Sequence, residues 1–165
     1  MQIILGIDPG SQKTGFGIIK AHGSTFSVID YGVIMLGKMK MGQRLATLLD
    51  SIEILLNKHS PTILSIEGVF MHKNAQSALK LGQARGCILG ACAQAGLDIY
   101  EYSPRSIKQA IAGFGGADKN QMQVMVKKLL NLSTHPQSDA ADALAAALCH
   151  AFQPQWVITQ AKETI

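Results

Sequence analysis

Ile3-Ile4-Leu5-Gly6-Ile7-Asp8-Pro9-Gly10-Ser11 decides the fold. An apolar run that does not alternate reads as a strand buried on both faces. Asp-Pro-Gly-Ser then breaks it with turn chemistry, Pro fixing φ and Gly freeing it. Outward from there, 15–20 reads as a second strand and 26–36 as a third. The short turns between them predict an antiparallel meander. At Met41 the period changes: Leu45, Leu48, Leu49, Ile52, Leu55 and Leu56 recur at helical spacing as far as Lys58, and Pro61 ends the helix. Residues 62–66 form another buried strand, closed by Glu67-Gly68. An Ala- and Leu-rich helix follows over 74–95, and a last strand over 97–102. Helices are expected at 105–112, 119–130 and 139–152, with Gly113 to Gly116 as a flexible break. This order predicts an α/β protein: a mixed five-stranded sheet, an antiparallel meander extended by parallel crossover strands, with helices on both faces. One domain is expected over residues 1–153, with a polar C-terminal tail at 154–165.

The composition narrows the class. With 47% hydrophobic and 16% charged residues, the 165-residue chain can bury a core, which excludes disorder. A net charge of +4 permits a polyanionic partner without requiring one. Cys87, Cys92 and Cys149 are too few and too oddly spaced for a disulfide framework or a zinc site, so they read as small buried hydrophobes in a reducing compartment. The first residues reach Asp8 without a basic leader, and no apolar run approaches the roughly 20 residues that span a bilayer. A soluble, cytoplasmic protein with no membrane contact is the expectation. His22, His59, His72, His135 and His150 form no ligand spacing.

Within the 74–95 helix, Ala78, Gly82, Gly86 and Gly90 recur every fourth residue. Each interior glycine costs about 1 kcal/mol against alanine. A stripe of them implies close backbone approach, either to the sheet as core packing or to a partner helix in a dimer. Lys80 and Arg85 interrupt the stretch, so it is not a membrane helix.

The chemistry lies in the acids. Asp8 ends the first strand and Glu67 the fourth, and ligand sites in α/β sheets favour the carboxyl ends of strands. Asp139 and Asp142 are three apart at the start of the last helix, on one face and near its positive end. Singly, these are an ordinary turn residue, a strand-end charge and two dipole partners. Together they are four of only 11 acidic residues, all where apolar elements end near one sheet edge. Carboxylates so grouped repel one another, and a hard divalent cation resolves the conflict. Two such ions about 3.5–4 Å apart can clamp a scissile phosphate. Mg²⁺ is the expected ion, with Mn²⁺ as substitute. No P-loop pattern is present.

Four blocks carry a resemblance: Ile4 to Ser11, Ile66 to Met71, Asn74 to Gly86, and Asp139 to Ala145. Together they are similar to the RuvC family of bacterial Holliday-junction resolvases, which has a ribonuclease-H-like fold. The first block is shared with ATPases of the actin and hexokinase type; the Asn74 to Gly86 block is the specific one. The resemblance spans about Ile3 to Phe152. It implies that Asp8, Glu67, Asp139 and Asp142 are the catalytic, metal-binding acids. It implies that Phe70 stacks on a base near the junction centre, and that Lys108 and Lys119 lie near the scissile phosphate. Lys73, Asn74 and Arg85 complete the expected DNA-contacting set. It further implies a homodimer that nicks two opposed strands of a four-way DNA junction, leaves 5′-phosphate and 3′-hydroxyl ends, and works with RuvA and RuvB in recombination and repair. Gly68 departs from the pattern, where many relatives carry Gln.

A structure-selective endonuclease is therefore the leading expectation. Three alternatives stay open on the residues alone. They are a ribonuclease-H-type hydrolase of RNA–DNA hybrids, a non-catalytic junction-binding scaffold, and an ATP-binding domain using Asp8 to Gly15.

Overall fold

The computed structural model describes residues 1–68 and 74–153. Its sheet is built from β1 (Gln2–Asp8), β2 (Lys13–His22), β3 (Thr25–Met35), β4 (Ile63–Glu67) and β5 (Asp98–Tyr102). The order across the sheet is β3-β2-β1-β4-β5. β1, β2 and β3 pair antiparallel, whereas β4 lies parallel to β1 and β5 parallel to β4. The mixed sheet expected from the sequence is the one observed. Turns of four and two residues join the meander, and helices α1 (Met41–His59) and α2 (Ala75–Gln94) make the crossovers that parallel strands require. α3 (Pro104–Ala112), α4 (Lys119–Leu129) and α5 (Ser138–Ala151) complete the chain.

Strand alternation sorts the side chains into two cores. Leu5, Ile7, Ile18, Leu64 and Ile66 point to one face, where they pack with Leu48, Ile52 and Leu55 of α1 and Ile88 of α2. Ile4, Ile19, Ile63 and Tyr100 point to the other, against Ile107 of α3, Val126 of α4 and Leu144 and Leu148 of α5. Helices thus cover both faces, and β1 is buried on both, which explains its unbroken apolar run. α5 is the central helix: every residue from Ala143 to His150 is buried.

α5 sits unusually close to the sheet, and glycines make that contact possible. A Cβ on Gly6 would overlap the Ala143 carbonyl oxygen, and one on Gly15 would overlap the Asp139 carbonyl oxygen. The close backbone approach therefore lies in β1 and β2 rather than at the α2 stripe. Gly82, Gly86 and Gly90 are exposed, and among the described residues a Cβ at any of them would meet nothing within 4 Å. This removes the core-packing reading of that stripe: α2 turns Ala84, Ile88, Ala91 and Cys92 inward and leaves the glycines outside. Among the described residues, no helix is long and apolar enough to cross a membrane.

Candidate active site

Asp8 and Glu67 are brought together by register. β1 and β4 are parallel with Ile7 opposite Ile66, so the next residue of each strand emerges side by side at the carboxyl edge. Alternation puts Ile4, Gly6 and Asp8 on the α5 face, and Ile63, Ser65 and Glu67 with them. The buried Ser65 hydroxyl donates to the Ala146 carbonyl at 2.6 Å, tying β4 to the same helix. The glycine seat then sets the start of α5 against this edge, which delivers Asp139 and Asp142.

Asp8, Glu67 and Asp142 line a cavity of about 320 Å³, together with Pro104, Ile107, Lys108, Lys119 and Met122. Asp139 is beside the cavity rather than in its wall, and its Oδ2 is 3.2 Å from Lys13 Nζ. Lys108 arrives on α3, which is started by the Ser103 cap and Pro104. Lys119 is the first residue of α4, where Asp118 and Gln121 form a reciprocal capping box. Gly113, with φ of 82°, ends α3 so that the chain can turn back between the two lysines.

The electrostatics show how strongly the acids interact. Burial pushes the Asp8 carboxyl up to about 8; Glu67, Asp142 and Asp139 add to that rise, and Lys119 opposes it. Glu67 is raised by burial and by Asp142, while a hydrogen bond with Asp8 and the charges of Lys108 and Lys119 pull it back. Asp142 is also raised by burial, with Lys119 and Lys108 opposing and Asp139 adding. Burial and the neighbouring acids therefore favour the protonated form of Asp8 in the metal-free cluster. A cation would remove the need for that proton, and grouped carboxylate oxygens are the donor set a hard divalent ion takes. The donor chemistry fits such an ion, although among the described residues no three metal-ligating side chains are gathered tightly enough to hold one as they stand.

Other expected contacts are placed differently. Arg85 does not present a free cation: it donates to the Glu67 carbonyl at 3.0 Å and pairs with Glu101 at 2.5 Å, and its side chain is only 12% exposed. It clamps the end of β4 to β5. Asn74 caps α2, its side-chain oxygen accepting from the Gln76 and Ser77 amides. Gly68 donates its amide to the Tyr102 carbonyl, and a Cβ there would make only ordinary contact. Phe70, Lys73 and the 154–165 tail lie outside the described residues. The sequence reading missed Lys13, whose only signal was its place just after the Asp8 turn. It also missed the cavity walls Pro104, Ile107 and Met122, which depend on how α3 and α4 pack.

An acid-lined cavity at the carboxyl edge of this sheet, with two lysines across from it, defines a class: a domain equipped for metal-dependent chemistry on phosphate esters. Comparison with known proteins makes the class specific. The family described as crossover junction endodeoxyribonuclease RuvC matches residues 4–150. The RuvC of Marinobacter nauticus is 51% identical over 162 residues, covering 98% of this chain and 93% of that protein. The RuvC of Acinetobacter baylyi is 50% identical over 151 residues, covering 92% and 83%. The solved structure of Thermus thermophilus RuvC with a Holliday junction substrate has 32% identity and a TM-score of 0.86, covering 92% of this chain and 94% of that one. The chain belongs to the RuvC family of crossover junction endodeoxyribonucleases, and its fold is ribonuclease-H-like. Dependence on a divalent metal is general to that family.

Proposed function

We propose that this chain resolves four-way DNA junctions by hydrolysing one phosphodiester in each of two opposed strands, with Asp8, Glu67, Asp139 and Asp142 holding two Mg²⁺ ions and Mn²⁺ able to replace them. The observation that carries the reading is that Asp8, Glu67 and Asp142 line one cavity together with Lys108 and Lys119. What the ions supply there is charge neutralisation for the phosphate and a more acidic water. The chain's own residues do the rest. The two strand ends and the first turn of α5 fix the carboxylates on rigid elements. Lys108 and Lys119, across the cavity, draw a phosphate into it and offset its charge. Water oxygen attacks phosphorus, the bond to O3′ breaks, and the ends are a 5′-phosphate and a 3′-hydroxyl. Phe70 stacks on an unpaired base near the junction centre, a contact worth about 1–3 kcal/mol.

Two cuts need two sites, and a two-fold dimer supplies them against a roughly two-fold substrate. Gly82, Gly86 and Gly90 support this reading: they weaken α2, serve no contact among the described residues, and adjoin Leu79, which is 64% exposed. A facing helix from a second copy would use them. RuvA and RuvB are the proposed partners, in the cytoplasm, with the nuclease domain ending near residue 153 and a polar tail beyond it. The test is to incubate the purified protein with a mobile four-way junction and with an RNA–DNA hybrid, with and without Mg²⁺, and to map the products. Paired, symmetric nicks in the junction alone support the proposal; cleavage confined to the hybrid refutes it.

A further inference from the structure

Three observations about Lys13 join into one. First, its ammonium is 3.2 Å from Asp139 Oδ2, with the lysine side chain 54% and the aspartate 30% exposed. Second, Asp139 alone of the four acids does not line the cavity. Third, Lys13 does not lie on a loose surface segment. The Gly10 amide bonds to Thr14 Oγ1 at 3.3 Å, and that hydroxyl donates to the Gly10 carbonyl at 3.0 Å. The Gln12 carbonyl accepts from the Leu36 and Gly37 amides, and the Ser11 carbonyl accepts from Arg44. Lys13 also begins β2, where it shares a face with Gly15, the glycine on which the Asp139 backbone sits. Pinned backbone and strand alternation together aim the lysine at this one carboxylate.

We infer that Lys13 is a built-in counter-ion that holds Asp139 away from the metal position until a DNA phosphate draws the lysine off. The inference rests on the reading of Asp139 as a metal ligand. In the free protein the ammonium competes with a cation for the same oxygens and also repels it. When the phosphate backbone arrives at this open edge, Lys13 gains an alternative partner and Asp139 is released to the cluster. Junction binding and metal binding then strengthen each other, and by linkage they do so equally. The pair is solvent-exposed, so the effect is modest: removing it should tighten metal binding about two- to fivefold.

Calorimetric titration of Mn²⁺ into the DNA-free protein tests the first half. Lys13→Met should bind Mn²⁺ about two- to fivefold more tightly than wild type, and Lys13→Arg, which keeps the pair, should return to the wild-type value. The second half is tested by the salt dependence of junction binding in Ca²⁺, with cleavage checked on the same gel. Lys13→Met should lower the slope of log affinity against log salt by about one. Unchanged or weaker Mn²⁺ binding by Lys13→Met, or an unchanged slope, would overturn the inference. Asp139→Asn in the same titration separates the two claims. If it weakens Mn²⁺ binding, an unaltered Lys13→Met refutes the counter-ion role alone; if it does not, both the ligand assignment and the counter-ion role fall.

Discussion

Replacing Asp8 by Asn should make the metal-free protein more stable while abolishing its chemistry. The carboxyl is pushed from an ordinary 3.8 up to about 8, chiefly by burial and then by Glu67, Asp142 and Asp139. In the unfolded chain it ionises near 3.8; in the folded chain it holds its proton to about 8. The folded state thus binds more protons between those values, and wild-type stability falls as pH rises through that window. Each pKa unit is worth about 1.4 kcal/mol, so at pH 7 the penalty reaches up to about 4 kcal/mol. Asn keeps the shape and never ionises, so Asp8→Asn escapes the penalty. For a chain of this size that is on the order of 10 °C in melting temperature. The assay is thermal denaturation in EDTA from pH 4 to pH 8.5. The variant should melt higher than wild type at pH 7, with the gap closing toward pH 4. Mg²⁺ should narrow the gap at pH 7 by stabilising wild type more than the variant. A variant that melts at or below the wild-type temperature across the range, with no pH-dependent gap, would mean that Asp8 ionises at no cost to the fold.

Gly15→Ala should cost about 3 kcal/mol or more, because its Cβ would overlap the Asp139 carbonyl oxygen and push the start of α5 off the sheet; calorimetric melting checks it. Arg85→Met should lower the single-turnover cleavage rate more than junction affinity, since Arg85 holds the end of β4 through the Glu67 carbonyl and Glu101; gel shifts beside cleavage kinetics separate these effects. If the proposed dimer forms through α2, Gly86→Glu should shift it to a monomer in sedimentation without lowering the melting temperature of the subunit, because among the described residues nothing lies within 4 Å of its Cβ.

Most of the fold was legible because the apolar runs are sharply bounded. Ile3 to Ile7 stops at Asp-Pro-Gly, and the helical leucines of α1 stop before Pro61. The acids at strand ends were legible for the same reason, since the end of an apolar run marks the sheet edge. What could not be read was contact between distant segments. Gly6 and Gly15 look like weak points within strands, and only the packed structure shows α5 seated on them. The α2 glycines look like a contact because of their spacing, yet no described residue of the chain packs on them. Arg85 reads as a surface cation because nothing in its own helix reveals that Glu101 lies across from it. Lys13 was overlooked for a related reason: its partner is 126 residues away in sequence.

If the four acids perform the cleavage, recognition of the junction should survive the loss of any one of them. The direct measurement is binding and Mg²⁺-dependent nicking of one four-way junction by Asp8→Asn, Glu67→Gln, Asp139→Asn and Asp142→Asn, beside wild type. All four should bind the junction within about fivefold of wild type, the limit set by the Lys13 coupling, and none should nick it at a measurable fraction of the wild-type rate. Wild-type nicking by any one of them would contradict the account.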